Sequence, residues 1–122
     1  MKLVSLDTSC KAASAALLTD GVCTLELFAE SARKHAETVV PLIDRLLTET
    51  GTARGEIGLF AVDVGPGSFT GVRIGVSVVN AMAYALEKRV VPVDALFALY
   101  AARSGGPGKV LAMLDAGNGN AY

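Results

Sequence analysis

The hydrophobic pattern changes period once, and that change constrains the fold more than any other feature of the chain. Up to residue 28 the apolar residues come in short runs, Leu3 to Thr8, Ala12 to Leu18 and Val22 to Phe28, the last two separated by Thr19-Asp20-Gly21. Short runs broken by an Asp-Gly turn predict three strands in an antiparallel meander. From about Ala36 the spacing becomes helical: Val39, Val40, Ile43, Leu46 and Leu47 recur on one side, Asp44, Arg45, Thr48 and Glu49 lie opposite, and Gly51 is a stop signal. Pro41 fits that helix only in its first turn. Beyond it the chain alternates: a strand over 57–64, a glycine-rich loop over 65–71, a helix over 70–87, a strand over 90–93, and a helix capped by Asp94 and running to about Arg103. The order predicts an α/β domain, a mixed sheet with antiparallel opening strands and flanking helices.

Composition narrows the function classes. Hydrophobic residues make up 52% of the 122 and charged residues 19%, which excludes disorder. Mean hydropathy is +0.46, high for a domain of this size, so apolar residues are expected outside the core. A net charge of −1 with scattered basic residues excludes an overt electrostatic nucleic-acid binder. No apolar run reaches the ~18 residues of a membrane span. Cys10 and Cys23 make neither a disulfide framework nor a metal pattern, and the expectation is a reduced cytoplasmic protein with two buried thiols.

The end of the chain echoes its beginning. After the linker Ser104-Gly105-Gly106-Pro107-Gly108, the segment from Lys109 to Ala116 repeats the pattern of Lys2 to Thr8: a Lys, an apolar strand, a terminal Asp and a small residue. Asn118-Gly119 then reads as a hairpin turn. The expected organisation is one domain over residues 1–104, with 105–122 a linker and the start of a second, related domain missing from this chain.

Two segments carry candidate chemistry. The loop Gly65-Pro66-Gly67-Ser68-Phe69-Thr70-Gly71 joins a strand to a helix, where backbone N–H groups favour anions. It matches neither a Walker loop, since Val72 and Arg73 follow Gly71, nor a dinucleotide fingerprint, since Gly71 falls one residue late. The alternative to an anion site is a tight turn whose helix approaches a neighbour closely. In that helix Arg73, Ser77, Asn80 and Tyr84 form one narrow polar stripe. Two further stripes are apolar: Val72, Val76, Val79, Ala83 and Leu86, and Gly71, Gly75, Val78, Met82 and Ala85. Covering a sheet takes only one such stripe, so the second predicts another partner. The other segment, Asp7-Thr8-Ser9, sits at a strand end where it could hold phosphate or Mg²⁺; Asp63 and Asp94 read as turn and cap residues. His35 is the single histidine, so no histidine metal cluster can form. No catalytic residue, metal ligand set or cofactor is read from the sequence.

These residues resemble a family. Leu3-Val4-Ser5-Leu6-Asp7-Thr8-Ser9, the Ala15-Ala16-Leu17 strand, His35 upstream of Val39-Val40-Pro41-Leu42-Ile43, and above all Gly65-Pro66-Gly67-Ser68-Phe69-Thr70-Gly71-Val72-Arg73-Ile74-Gly75 are similar to the TsaB (YeaZ) family of bacterial tRNA threonylcarbamoyladenosine biosynthesis. Gly117 and Asn120 depart from the Arg and Glu usual there. The resemblance implies a ribonuclease-H-like half of an actin-like, Hsp70-like, sugar-kinase-like (ASKHA) fold. It implies a non-catalytic subunit, without a cofactor, that pairs with the catalytic paralogue TsaD and the ATPase TsaE, meets tRNA only indirectly and forms homodimers in isolation. The pairing would use the first two helices, over about 36–50 and 70–87, through Val39, Ile43, Leu46, Gly71, Gly75, Val78, Met82 and Ala85. An actin-like-fold ATPase or kinase using Asp7-Thr8-Ser9 for phosphate is the alternative.

Overall fold

The strands over 2–7 and 12–19 alternate buried and half-buried residues, and pairing with their neighbours lines the buried ones into rows. A computed structural model describes residues 1–30, 35–103, 105–106 and 108–122, with the main chain only at residues 35 and 36. Strands β1 (Lys2–Asp7), β2 (Ala12–Thr19) and β3 (Val22–Glu30) form the antiparallel meander, and β4 (Ile57–Asp63) and β5 (Arg89–Val93) add in parallel. The sheet order is β3-β2-β1-β4-β5. Val4 therefore stands between Leu17 and Phe60, and Leu6 between Ala15 and Val62. All six are buried. The β2–β3 turn has Asp20 at φ 51° and Gly21 at φ 84°, the doubly left-handed geometry that suits the twist of a hairpin.

Both long helices cover that one face. Helix α1 (His35–Glu49) packs on β2 and β3, and α2 (Phe69–Ala85) on β4, β1 and β5. Their core residues join a single cluster with the sheet. Pro41 lies in the second turn of α1, not the first: it is exposed there, where solvent can take over the role of the one helical hydrogen bond it removes. Helix α3 (Ala95–Ala101) starts at Asp94, whose carboxylate accepts the Phe97 N–H at 2.8 Å. The opposite face of the sheet, with Leu3, Ser5, Ser14, Ala16 and Leu59, stays half-buried.

Two expectations are corrected. The apolar run 109–116 does not form a strand along its length. Pairing is confined to its end: Asp115–Gly117 (β6) pairs with Asn120–Ala121 (β7) in a separate two-stranded hairpin, and Leu114 exchanges main-chain hydrogen bonds with Tyr122. An apolar run becomes a strand only where a neighbour takes up its backbone groups, and Leu111 and Met113 stand exposed instead. Both thiols are exposed rather than buried: Cys10 lies in the turn after β1 and Cys23 on the edge strand β3. Among the described residues no helix is long and apolar enough to cross a membrane.

Candidate functional site

The two segments singled out from the sequence meet at the ends of β1 and β4. Ser68 donates its main-chain N–H to the Ser9 carbonyl at 2.7 Å, and Thr8 Oγ1 donates to the Gly71 carbonyl at 2.6 Å. Ser68 also caps α2, its Oγ accepting the Gly71 N–H at 3.2 Å. Gly71 and Gly75 are buried because they lie directly on Thr8: a Cβ at Gly71 would run into the Thr8 carbonyl, and one at Gly75 into Thr8 Oγ1. Gly67 is similarly placed, 2.7 Å from the Ser9 carbonyl by its would-be Cβ. The peptide between Gly65 and Pro66 is cis. Of the two readings of the loop, the tight turn with close helix approach matches this geometry.

The donors that a phosphate would need are engaged within the chain. Ser9 N–H is given to Asp7 Oδ1 at 2.7 Å, Ser9 Oγ–H to Asp63 Oδ2 at 3.0 Å, and Gly65 N–H to Asp63 Oδ1 at 2.5 Å. Two carboxyl groups in the same place oppose a bound anion. They line a cleft of about 200 Å³ on the open sheet face, with Ser5, Ser14 and Val93.

Partial burial pushes the Asp63 carboxyl above its ordinary range; the Gly65 N–H opposes this, and the neighbouring Asp7 charge adds to it. A group whose pKa is raised in the folded state favours folding below its unfolded value and loses that contribution as pH rises through the folded one. Asp63→Asn keeps an acceptor for Gly65 and puts an amide donor in the place of Oδ2, toward which the Ser9 hydroxyl turns from donor to acceptor. Its melting temperature should match that of the parent near pH 4 and exceed it at pH 7, as thermal melts across that range would read. Equal melting at both pH values would show that the carboxyl carries no such penalty.

The predicted contact surface divides in three. Val39, Ile43 and Leu46 are 0–1% exposed and form the underside of α1, packed on the sheet. Gly71 and Gly75 are taken up by Thr8. Val78 and Met82 are half-buried and Ala85 is exposed. The second apolar stripe thus has partners inside the chain, because α1 lies beside α2 on the same sheet face and periodicity along one helix does not register a neighbouring helix. What remains open is a groove of about 400 Å³ between the helices, walled by Val40, Leu47, Met82 and Ala85, with Asp44 and Arg54 paired at 2.6 Å on its rim. Val40 is 53% exposed, and sequence reasoning placed it with the core because it shares the periodicity of Val39 and Ile43. The side chain of His35, the single histidine, lies outside the described residues.

Known proteins place this geometry. The TsaB of Escherichia coli, named for tRNA threonylcarbamoyladenosine biosynthesis, is 36% identical over all of this chain and 53% of its own length. The chain therefore spans about half the length of the curated relatives that match it end to end. YeaZ from Pseudomonas aeruginosa superposes with a TM-score of 0.74 and 41% identity, over 78% of this chain and 44% of that one. Thermus thermophilus RuvC, at 13% identity and a TM-score of 0.52 over 79% of this chain and 65% of that one, shares the fold alone. The fold is the expected α/β, ribonuclease-H-like one, a mixed sheet with flanking helices. Residues 29–122 match the model of the family described as TsaD: tRNA N6-adenosine threonylcarbamoyltransferase. The chain belongs to that family, and within it its similarity extends to members named TsaB and YeaZ.

Proposed function

We propose that this chain is the first of two related halves of a non-catalytic, cytoplasmic subunit in threonylcarbamoyladenosine biosynthesis on tRNA. It docks a TsaD-type transferase through the α1–α2 face and works alongside a TsaE-type ATPase, meeting tRNA only through them. The observation that carries the reading is the state of the Asp7-Thr8-Ser9 turn: the Ser9 N–H, the Ser9 hydroxyl and the Thr8 hydroxyl are engaged with Asp7, Asp63 and Gly71, and Gly71 and Gly75 close the space behind it. A kinase or ATPase needs those donors free for phosphate, so the scaffold reading is favoured over the phosphate-transfer one. The open groove between α1 and α2 supports docking, being apolar within and charged at the rim.

The test is the threonylcarbamoyladenosine content of tRNA in cells lacking the full-length protein and complemented by it. Complementation should restore the modification, and Ala85→Glu in the full-length protein should fail to restore it. The variant should also lose co-purification with the transferase by at least ten-fold while melting as the parent does, since Ala85 is exposed. Modification levels indifferent to the protein would sink the reading.

A further inference from the structure

We propose that Asp7 and Asp63 work as a proton-operated clasp: a proton held between their carboxyl groups keeps the ends of β1 and β4 together, and its release lets them part and frees the first turn of α2. The clasp is a property of the fold and acts whether or not the chain docks a transferase.

The pair stands where the sheet can open. Pairing between β1 and β4 runs from Lys2–Ile57 to Leu6–Val62, so Asp7 and Asp63 are the first residues past its end. Each is tied on its other side, Asp7 to Ser14 of β2 and Asp63 to Val93 of β5. Any separation therefore falls between them, with the meander on one side and β4, β5 and α2 on the other. Among the described residues three hydrogen bonds span that gap beyond the ladder. The Ser9 hydroxyl donates to Asp63, the Thr8 hydroxyl to the Gly71 carbonyl, and the Ser68 N–H to the Ser9 carbonyl. Two of the three end at the start of α2, on its cap Ser68 and on Gly71. Ser9 is 4% exposed and uses all its polar groups here: its N–H goes to Asp7, its hydroxyl to Asp63, and its carbonyl accepts from Ser68. A movement of one carboxyl away from the other is thereby passed to the helix.

Charge decides when the clasp is shut. Two ionised carboxylates side by side repel, and half-buried surroundings screen them less than water does. Among the described residues no cation offsets the repulsion. The side chains that share the cleft are Ser5 of β1, Ser14 of β2, Val93 of β5 and Ala98 of α3. Asp94, at the start of α3, accepts the Phe97 N–H; Arg73 of α2 stacks on Phe69, and Lys11 of the turn after β1 stands exposed. Asp7 is the charged group that acts on Asp63, and it works in the same sense as burial, against ionisation. A proton between the carboxyls replaces repulsion by a charge-assisted O–H···O bond, and the two groups titrate as a unit. On release the proton passes to water in the open cleft, and the pair goes from one negative charge to two.

Amide hydrogen exchange on the whole chain, corrected for the intrinsic pH dependence of exchange, reads the clasp. From pH 4 to pH 7 protection of the Ser68, Gly71 and Val72 amides should fall at least three-fold more than that of the Leu46 and Leu47 amides, which belong to α1. Asp7→Asn and Asp63→Asn are isosteric with the parent residues, and each should abolish that difference. Ser9→Ala cuts one of the spanning bonds and should lower protection of the same three amides at pH 4. A uniform change across α1 and α2, protection independent of pH, an asparagine variant that keeps the parental difference, or unchanged protection in Ser9→Ala would each overturn the proposal. Transferase co-purification and tRNA modification enter none of these measurements, so the clasp and the docking role fail separately.

Discussion

Gly71→Ala should unfold the domain, or lower its melting temperature by roughly 10 °C or more. Intrinsic propensity points the other way, since alanine in a helix is favoured over glycine by about 1 kcal/mol. The new methyl would meet the Thr8 carbonyl, which belongs to the backbone leaving the central strand and cannot turn aside. Overpacking of this kind costs about 3 kcal/mol or more, a large share of the stability of a small domain. Gly75→Ala collides instead with Thr8 Oγ1, a side-chain atom. Thr8→Ala should therefore partly rescue Gly75→Ala and leave Gly71→Ala as unstable as before. A double-mutant cycle by thermal melts reads the difference. Rescue of both glycine variants alike would show that the two contacts are of one kind.

Ile43→Asp and Val40→Asp should behave as opposites although they stand three residues apart on α1. Ile43 is 1% exposed, and an aspartate there strands a charge in the core while losing the buried side chain, at a cost of roughly 4–5 kcal/mol or more. The variant should express poorly and show no cooperative melt. Val40 is 53% exposed at the edge of the groove, and aspartate there should change stability by about 0.5 kcal/mol or less. That same substitution puts charge into the proposed docking surface and should abolish capture of the transferase. A folded Ile43→Asp, or a Val40→Asp that still captures its partner, would contradict the division of α1 into a packed underside and an open edge.

The elements legible in the sequence were those set by short-range chemistry. The Asp20-Gly21 turn, the helical spacing of Val39 to Leu47, the strand before the glycine loop and the Asp94 cap all emerged within a few residues of their expected limits. Lost were features that depend on which elements lie side by side. Gly71 and Gly75 signalled a close approach, yet the neighbour is Thr8, over sixty residues earlier in the chain. The stripe of Val78 and Met82 signalled a partner, and part of that partner is α1. The apolar run before Asp115 had strand composition without a strand beside it. Of the candidate site, the residues were legible and their mutual engagement was not, because a hydrogen bond from Ser9 to Asp63 has no periodicity to betray it.

The sheet order also bears on how the chain is made. β1 is the central strand, and its parallel neighbour β4 ends only at Asp63, well after the meander closes at Glu30. During synthesis the first three strands can pair as soon as they emerge, while one side of β1 stays without its neighbour until residue 63 is out. At about 5–20 residues per second that interval lasts a few seconds. Until then one edge of β1 stays open, so the nascent meander is the form most prone to stick to other chains. Slow translation across residues 30–63 should lower the soluble yield more than slow translation after residue 93.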